Sequence, residues 1–392
     1  MAEDTCTTRT RWKAKGKLVI LVVGQVPPPI NGQSVMIAQF LDGDYSELEL
    51  VHVPLRFSRG TDEVGKFGFR KIGVLFQTLV AIIQARLVSG ATVLYYPPAG
   101  PHLVPILRDL FLLLSLRWLF QDTVFHFHAA SLCSIYPRLS MPLRWLFLRA
   151  YGYPSLAIYT TNATAESGSL LHPAAVAIVP CGVPDRVVAP NSADEHQIPN
   201  ILFAGILCEG KGVRVLLEAC ALLKAAGELF NLVCIGEFES LHFELEVQSF
   251  LYQNNLQDCV TFPGILRGCE KAYAFASASI FCFPSHYPSE SFGVVLIEAM
   301  SYELPIIATQ WQGIPEVTGS GGAVLVPVKD VSALAEALRL LLNAPDFRRR
   351  MGSFNRSRYL SLYTAEIYRT NMAAALSSLH TLPMKIDARV RR

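Results

Sequence analysis

The sequence has few charges and little imbalance between them. Asp, Glu, Lys and Arg make up 17% of the 392 residues, and 34 basic against 32 acidic side chains leave a net charge of +2. This balance argues against a protein built mainly to neutralise nucleic-acid phosphates, so we expect no nucleic-acid partner. Hydrophobic residues make up 51%, which excludes a disordered or fibrous chain. At ~150 residues per domain, the length predicts two or three domains.

Paired cysteine motifs are also missing. None of the nine cysteines stands in a C-x-x-C pair, and their number is odd. Most lie in apolar runs, where a cysteine behaves as a small hydrophobe. We therefore expect reduced, buried thiols and a reducing compartment, which predicts a cytoplasmic protein.

Apolar stretches end before they reach the ~20 residues that a spanning helix needs. Prolines and a glycine break Leu18–Leu41, and further prolines break Leu87–Leu107. Residues 1–17 are polar and lack the apolar core of a signal peptide. The sequence predicts neither a spanning helix nor a leader.

The sequence does contain an alternation of β-branched apolar runs with longer amphipathic stretches. Runs that are apolar along their whole length are typical of strands in a parallel sheet covered on both faces. The predicted strands are Leu18–Val23, Thr92–Tyr96, Val124–His128, Leu156–Tyr159, Asn200–Ala204, Asn231–Gly236, Ser279–Phe283, Pro305–Ala308 and Ala323–Val326. Helical patterns fall between them, for example Ile72–Val88, Val213–Ala226 and Val331–Leu342. The alternation occurs twice over, which predicts an α/β protein with two doubly wound domains.

A polar, proline-flanked stretch, Val188–Pro199, predicts the boundary between the two domains. We expect an N-terminal domain at 1–190 and a C-terminal domain at 191–365. Residues 366–392 are expected to form a C-terminal helix, with a return to the N-terminal domain left open, and a basic tail.

Two loops have the composition of anion-binding sites. The first predicted strand leads into Gly24–Ser34, a Gly- and Pro-shaped loop before a helix whose N-terminus offers N–H groups to an anion. A rigid connector is the alternative, since neither a P-loop nor G-x-G-x-x-G is present. In the second domain, Lys211 stands between two glycines at a helix start, where its ammonium can help to hold a diphosphate. A solvated lysine in a turn is the alternative there.

The most informative segment is Phe281–Met300. Glu290 lies at the mouth of a helix, and Glu298 follows eight residues later. At ~3.6 residues per turn the two differ by about 80° and two turns, so both can face one cleft. Glu298 stands in an otherwise apolar helix, where a buried carboxylate needs a partner such as ligand hydroxyls. A helix-dipole role for Glu290 and a structural hydrogen bond for Glu298 remain open.

His126 and His128 end a predicted strand, and a period of two puts both on the same side. A metal pair is conceivable, but no further ligands cluster nearby, so we expect no metal site. A histidine at the carboxyl edge of a sheet, near a ligand crevice, is the preferred interpretation.

Taken in order, these motifs resemble the retaining glycosyltransferases of family 4. That family has the GT-B fold, in which two Rossmann-like domains face each other and the donor binds in the interdomain cleft. The strongest part is the pair Glu290 and Glu298 with seven residues between, preceded by Phe283-Pro284-Ser285 and followed by Gly313-Ile314-Pro315-Glu316. The resemblance runs from about Leu18 to Tyr368.

The resemblance implies roles for particular residues. His128 would lie near the donor sugar and phosphate, Lys211 at the diphosphate, and Glu290 at the hydroxyls of the donor sugar, and we take these three as the catalytic residues. Glu298 would hold the ribose hydroxyls of the nucleotide. The other residues expected at the donor are Gly32, Gly205, Gly264, Ile265, Ser291, Phe292, Gly293 and Val294. Among these, Gly264 and Ile265 would line the base pocket, and the N–H groups around Gly293 would bind the diphosphate.

Similar enzymes need no metal and no other cofactor, because cationic side chains and helix N-termini stabilise the departing nucleoside diphosphate. The leaving phosphate oxygen takes the acceptor's proton on the same face, so no separate protein base is expected. One departure bears on this account. The family usually has an arginine where this chain has Ile206, which leaves Lys211 as the single expected cation.

The resemblance implies transfer of a sugar from a nucleotide-sugar donor to a glycan or polyprenyl-linked saccharide acceptor in cell-surface polysaccharide biosynthesis. Apolar-basic segments at 67–86, 103–120 and 141–151 predict contact with an anionic membrane at its inner face, and ordinary core helices are the alternative. There Arg108, Arg117, Arg144 and Arg149 alternate with Trp118, Trp145 and Phe147. A catalytically degenerate subunit that binds a partner transferase, or another GT-B enzyme such as an epimerase or phosphorylase, remains as an alternative.

Overall fold

The computed structural model describes residues 16–28, 30–55, 57, 69–186 and 198–380. Contacts divide the chain into two compact units. The first unit comprises residues 1–160, 165–179 and 369–392, and the second comprises residues 161–164 and 180–368. The predicted boundary, Val188–Pro199, falls largely on residues 187–197, which lie outside the described residues, as does the basic tail from residue 381.

The first unit is built on one parallel six-stranded sheet with the order β2-β1-β3-β4-β5-β6. Its strands are β1 Leu18–Gly24, β2 Leu48–Pro54, β3 Val93–Tyr96, β4 Asp122–Phe127, β5 Leu156–Tyr159 and β6 Val176–Ile178. The helices in this part of the chain are α1 Gly32–Leu41, α2 Phe69–Ser89, α3 Leu103–Leu116, α4 Met141–Tyr151 and α5 Asn162–Glu166. Every position of β3, β4 and β5 is buried, as expected for inner strands covered on both faces.

The second unit repeats this plan with the strand order β12-β11-β10-β7-β8-β9, again all parallel. Its strands are β7 Asn200–Ala204, β8 Asn231–Ile235, β9 Val260–Gly264, β10 Ile280–Phe283, β11 Ile306–Thr309 and β12 Ala323–Val326. The helices are α6 Val213–Ala225, α7 Leu241–Gln253, α8 Gly268–Ala276, α9 Val294–Ser301, α10 Ile314–Gly322, α11 Val331–Asn343, α12 Pro345–Leu362 and α13 Ala365–Ser377. Residues of α13 from Arg369 onward cluster with the first unit.

Short 3₁₀ turns complete the described elements, at Arg117–Leu119, Leu132–Arg138, Ser169–Leu171, Glu209–Lys211 and Ser378–His380. The predicted α/β class with two doubly wound domains is confirmed, and all nine predicted strands are present. Three further strands, β2, β6 and β9, were not predicted, and each lies at the edge of its sheet.

Helix α2 corrects one prediction. Its residues Ile72–Ser89 form an 18-residue stretch with mean hydropathy 1.7, long and apolar enough to cross a membrane by length and composition, and 11% of it is buried. The expectation that no stretch passes this test is therefore wrong, because Arg86 is the only charge within the stretch. Length and composition alone do not establish a span.

Eight cysteines lie in the described part of the chain, and all carry free thiols. Five are buried, Cys133 and Cys259 are partly buried, and Cys269 is exposed. The expectation of reduced thiols in apolar surroundings agrees with this distribution except at Cys269, which stands in the first turn of α8. Cys6 lies outside the described residues.

Candidate functional site

The carboxyl ends of three neighbouring strands bring several predicted donor-binding residues of the second unit to one sheet edge. The N–H of Gly205, after β7, donates to the carbonyl oxygen of Ile235 at 2.9 Å, and the N–H of Gly236 donates to that of Gly264 at 3.0 Å. Gly264 ends β9, and the following Ile265 is exposed. In open α/β sheets this edge is where ligands bind.

The loop after β7 holds Lys211 in a fixed position. A 3₁₀ turn at Glu209–Lys211 passes into α6 through Gly212, which has φ 77°. A Cβ at Gly212 would lie 2.1 Å from the carbonyl oxygen of Pro284, so the loop packs directly on the backbone that follows β10. Only glycine fits both the left-handed conformation and this close approach.

Lys211 and Glu290, both predicted as catalytic, are in direct contact. The Lys211 Nζ lies 2.5 Å from Glu290 Oε2, with side-chain exposures of 17% and 10%. Ser285 Oγ donates to the same carboxylate oxygen at 3.1 Å. The ammonium also lies over the rings of Phe283 and Tyr287, at 5.4 and 5.1 Å from their centroids. A charged pair this enclosed is held by hydrogen bonds and aromatic faces rather than by solvent.

The N-terminus of α9 begins three residues after Ser291. Ser291, Phe292 and Gly293 are buried, and Gly293, with φ 75°, precedes the first helical residue, Val294. This helix has no side-chain cap hydrogen bond at its N-terminus. Its first N–H groups therefore lack the side-chain acceptor that helices commonly carry, which suits an anion.

Glu298 has a protein partner, as the alternative of a structural hydrogen bond expects, although the sequence did not indicate which residue supplies it. Lys271 Nζ on α8 donates to both of its carboxylate oxygens, at 2.7 and 2.8 Å. The Glu298 side chain is 25% exposed. The expectation of a buried carboxylate is therefore wrong, because α9 leaves this position partly open and α8 supplies a cation. That Glu290 and Glu298 share one cleft stays a prediction.

His128 and Gly32 lie in the first unit, whereas the other ten predicted site residues lie in the second. The rings of His126 and His128 are 3.9 Å apart at their centroids, on the same side of the sheet as the period of two predicts. Burial lowers the pKa of His128 to about 3, and burial together with His128 lowers the pKa of His126. Tyr95 Oη lies 2.6 Å from His126 Nδ1. Both imidazoles are therefore neutral at physiological pH.

Gly32 is the first residue of α1, whose N-terminus is capped from within. The Asn31 side chain accepts from the N–H of Ser34 at 2.8 Å, and Ser34 Oγ accepts from the N–H of Asn31 at 3.0 Å. This capping box satisfies two donors, which leaves less for an anion than the sequence suggested.

No group of three or more His, Cys, Asp or Glu side chains suited to a metal ion occurs within the described ranges. A cavity of about 610 Å³ lies between α8 and strands β7–β9, with an apolar lining that includes Val233, Pro263 and Tyr273. None of the predicted site residues lines it, although Pro263 and Leu266 of its lining flank the predicted Gly264 and Ile265.

The structure shows where several residues of the basic segments lie. Arg117 donates to the carbonyl oxygens of Ala150 and Gly152 at 2.6 and 2.9 Å, and burial lowers its pKa to about 10. Arg108 pairs with buried Asp109. Phe147 is buried, whereas Trp118 and Trp145 are 76% and 62% exposed. Arg108 and Arg117 therefore form contacts within the protein, whereas the two tryptophans are exposed to solvent.

Comparison with known proteins agrees with this architecture. The structure of sucrose-phosphate synthase from Thermosynechococcus elongatus matches with TM-score 0.70 at 19% identity, covering 93% of this chain and 99% of that one. Anabaena HepE in complex with UDP matches with TM-score 0.70 at 14% identity, covering 92% and 99%. At these identities the likeness shows the fold alone. Two doubly wound parallel sheets in one chain are the plan of the GT-B class of folds.

Residues 190–358 match the family model described as glycosyl transferases group 1. Amylovoran biosynthesis glycosyltransferase AmsK of Erwinia amylovora is 33% identical over 148 residues, or 36% of each chain. The MMP α-(1→4)-mannosyltransferase of Mycolicibacterium hassiacum is 31% identical over 213 residues, covering 52% of this chain and 50% of that protein. The matched regions span between 33 and 50% of the length of the first four such relatives. The similarity to this family thus covers residues 190–358, which include all six strands of the second unit.

Proposed function

We propose that the chain is a retaining glycosyltransferase that moves a sugar from a nucleotide-sugar donor to a glycan or lipid-linked saccharide in cell-surface polysaccharide biosynthesis. One observation carries the proposal. The Lys211–Glu290 pair lies beside an α9 N-terminus that has no side-chain cap. The family match of residues 190–358 and the polysaccharide-building relatives, such as AmsK, support it.

The donor diphosphate would bind at the N-terminus of α9. There the N–H groups of Gly293 and Val294 and the Lys211 ammonium oppose its negative charge. Because only three residues separate Glu290 from the start of α9, its partner Lys211 is held close to that helix end. Glu290 would accept hydrogen bonds from the hydroxyls of the donor sugar, and Glu298 from those of the ribose.

The chemical step needs the departing diphosphate to be stabilised as the glycosidic bond breaks. Lys211 and the α9 dipole supply fixed positive charge where negative charge develops, which is the largest contribution in many such sites. The leaving phosphate oxygen would take the acceptor's proton, so no protein base is required. His128 would act as a neutral hydrogen-bonding partner, since its pKa of about 3 excludes a cation at neutral pH. No metal or cofactor enters this proposal.

The acceptor would bind to the first unit, which would contact the inner face of a cytoplasmic membrane. Helices α2, α3 and α4 pack in sequence against one another, and Phe76, Val80 and Trp145 are among their exposed side chains. Residues 69–153 carry eight Lys and Arg against two Asp, and both Asp109 and Asp122 are buried. An apolar surface without exposed acidic side chains in this stretch suits an anionic lipid interface.

The first test measures thermal shifts without metal, using ADP, CDP, GDP, UDP and their common sugars as probes. Wild type is compared with Glu298→Ala and with Glu246→Ala, an exposed control on α7. We expect one base to stabilise wild type and the control by several degrees and Glu298→Ala far less. No shift from any probe on the folded wild type would favour a degenerate subunit, for which exposed Ile206 in place of an arginine already argues.

A further inference from the structure

The carboxylate proposed for the ribose is held by a side chain that neither the motifs nor the family match assigns. Lys271 stands on α8, 27 residues before Glu298 on α9, and its ammonium donates to both carboxylate oxygens at 2.7 and 2.8 Å. The two side chains are 29% and 25% exposed. The contact thus joins two helices and stays accessible from outside.

The ammonium is positioned from a second direction as well. It lies 5.7 Å from the ring centroid of Phe275, one turn further along α8, and that ring packs against Phe281 of β10 at a centroid distance of 5.7 Å. Phe275 is buried. An ammonium held between a buried aromatic face and a carboxylate loses less freedom than one at the end of a solvated side chain.

The remaining hydrogen-bonding capacity of Glu298 fits a pair of hydroxyls. A carboxylate has about four lone-pair sites on its two oxygens, and the ammonium occupies one site on each. Vicinal hydroxyls of a ribose are donors spaced to reach both oxygens. A lysine that contacts both oxygens also fixes the rotation of the carboxylate, which is how a neighbouring group raises the affinity of a contacting one.

We propose that Lys271 is a positioning residue for the nucleotide ribose. It holds the Glu298 carboxylate in the orientation that accepts the two ribose hydroxyls, and so contributes to the distinction between ribose and sugars lacking those hydroxyls. This inference rests on the proposed function, because it assumes that a nucleoside diphosphate binds at α9.

The test compares two ligands on four proteins by isothermal titration calorimetry. The ligands are the nucleoside diphosphate, from ADP, CDP, GDP and UDP, that wild type binds most tightly, and its 2′,3′-dideoxy counterpart. The proteins are wild type, Lys271→Met, Lys271→Arg and Lys224→Met. Lys224 is a matched control, since it also pairs with a carboxylate of the second unit, Asp258.

We expect Lys271→Met to lower the affinity for the ribose ligand about tenfold, as for loss of a charge-assisted contact. The affinity for the dideoxy ligand should fall by less than twofold. Lys271→Arg should restore most of the preference, and Lys224→Met should change neither affinity. Equal losses for both ligands, or an unchanged ribose preference, would overturn the role of Lys271 while leaving the donor site in place. If folded wild type binds none of the four diphosphates, the proposed function itself fails, and this inference fails with it.

Discussion

In the second unit, each candidate carboxylate is paired with a lysine from another element, Glu290 with Lys211 and Glu298 with Lys271. In the first unit, the ring of the candidate His128 lies 3.9 Å from that of a second histidine, and burial keeps both neutral. The candidate residues of the second unit are therefore full charges that are satisfied within the protein, and that of the first unit is a neutral polar group beside aromatic rings. In a charged pair of this kind, one side chain can contact a charged ligand in place of its protein partner. A neutral imidazole orients a ligand through a hydrogen bond and adds no charge.

The largest effect should come from removing the Lys211 ammonium of the second unit. Lys211→Met leaves the buried Glu290 carboxylate without its ammonium and removes the charge proposed to face the diphosphate. We expect kcat/KM to fall by roughly a hundredfold or more, as when one preorganised electrostatic group is lost. Steady-state kinetics with the donor identified by the thermal-shift panel checks this, with Lys224→Met as the control. A loss within about threefold, or 0.7 kcal/mol, would contradict the assignment.

A comparison of two glycines distinguishes the close packing of the loop after β7 from ordinary backbone strain. Gly212 and Gly227 have φ of 77° and 79°, but a Cβ at Gly212 meets the Pro284 carbonyl oxygen at 2.1 Å while one at Gly227 meets nothing within 4 Å. Both alanine variants pay about 1–2 kcal/mol for the left-handed conformation. Gly212→Ala should lower the free energy of unfolding by about 2 kcal/mol beyond that, because backbone must move. Urea unfolding of both variants measures the difference, and equal losses would show that the close packing on Pro284 is dispensable.

These two predictions depend on contacts that the sequence indicates only in part. The motifs identify Lys211 and Glu290 as neighbours of a ligand, since both flank helix starts, but they do not indicate Lys271. Its partner lies 27 residues away on another helix, and the two meet only in the folded chain. A contact between helices carries no local signature in one sequence.

The strands show the same limit. Continuous apolar runs predict strands that are covered on both faces, and β3, β4, β5, β10 and β11 are buried at every position. The strands that this criterion misses, β2, β6 and β9, lie at sheet edges and carry partly exposed positions. The β9 strand even contains Pro263, which an edge tolerates because fewer ladder hydrogen bonds are needed there. The sheet order itself follows from no run of residues.

Acid should affect the first unit through its neutral histidines. The pKa of His128 is lowered from an unfolded value near 6.5 to about 3, so below ~6.5 the unfolded chain binds a proton that the folded chain does not. Stability from this group is complete above ~pH 6.5 and falls as the pH drops, by on the order of 1–2 kcal/mol at pH 5.

His128→Asn should therefore reduce the difference in urea midpoint between pH 7 and pH 5, and His102→Asn, at an exposed position, should leave it as in wild type. An unchanged pH response in His128→Asn would mean that this imidazole is not held neutral by burial.

The smallest effect concerns the surfaces. The double variant Trp118→Ser and Trp145→Ser removes two exposed indoles of the first unit, whereas Leu241→Ser and Tyr252→Ser remove exposed apolar groups of the second. Flotation with anionic vesicles should show binding lowered roughly fivefold, or about 1 kcal/mol, by the first change and unaltered by the second. Equal effects of the two pairs, or binding that ignores lipid charge, would contradict membrane contact through the first unit.

The thiols differ in their accessibility, which allows one of them to be labelled selectively. Burial raises the pKa of Cys133 to about 11 and also raises that of Cys259, so both alkylate slowly at neutral pH, while Cys269 is exposed. Once Cys6 is replaced, a maleimide dye should therefore label chiefly Cys269, two residues from Lys271. A dye attached to this one thiol would report on the surroundings of α8. Nucleotide binding would then appear as a change in the emission of the dye, and the titration would need no radiolabelled sugar.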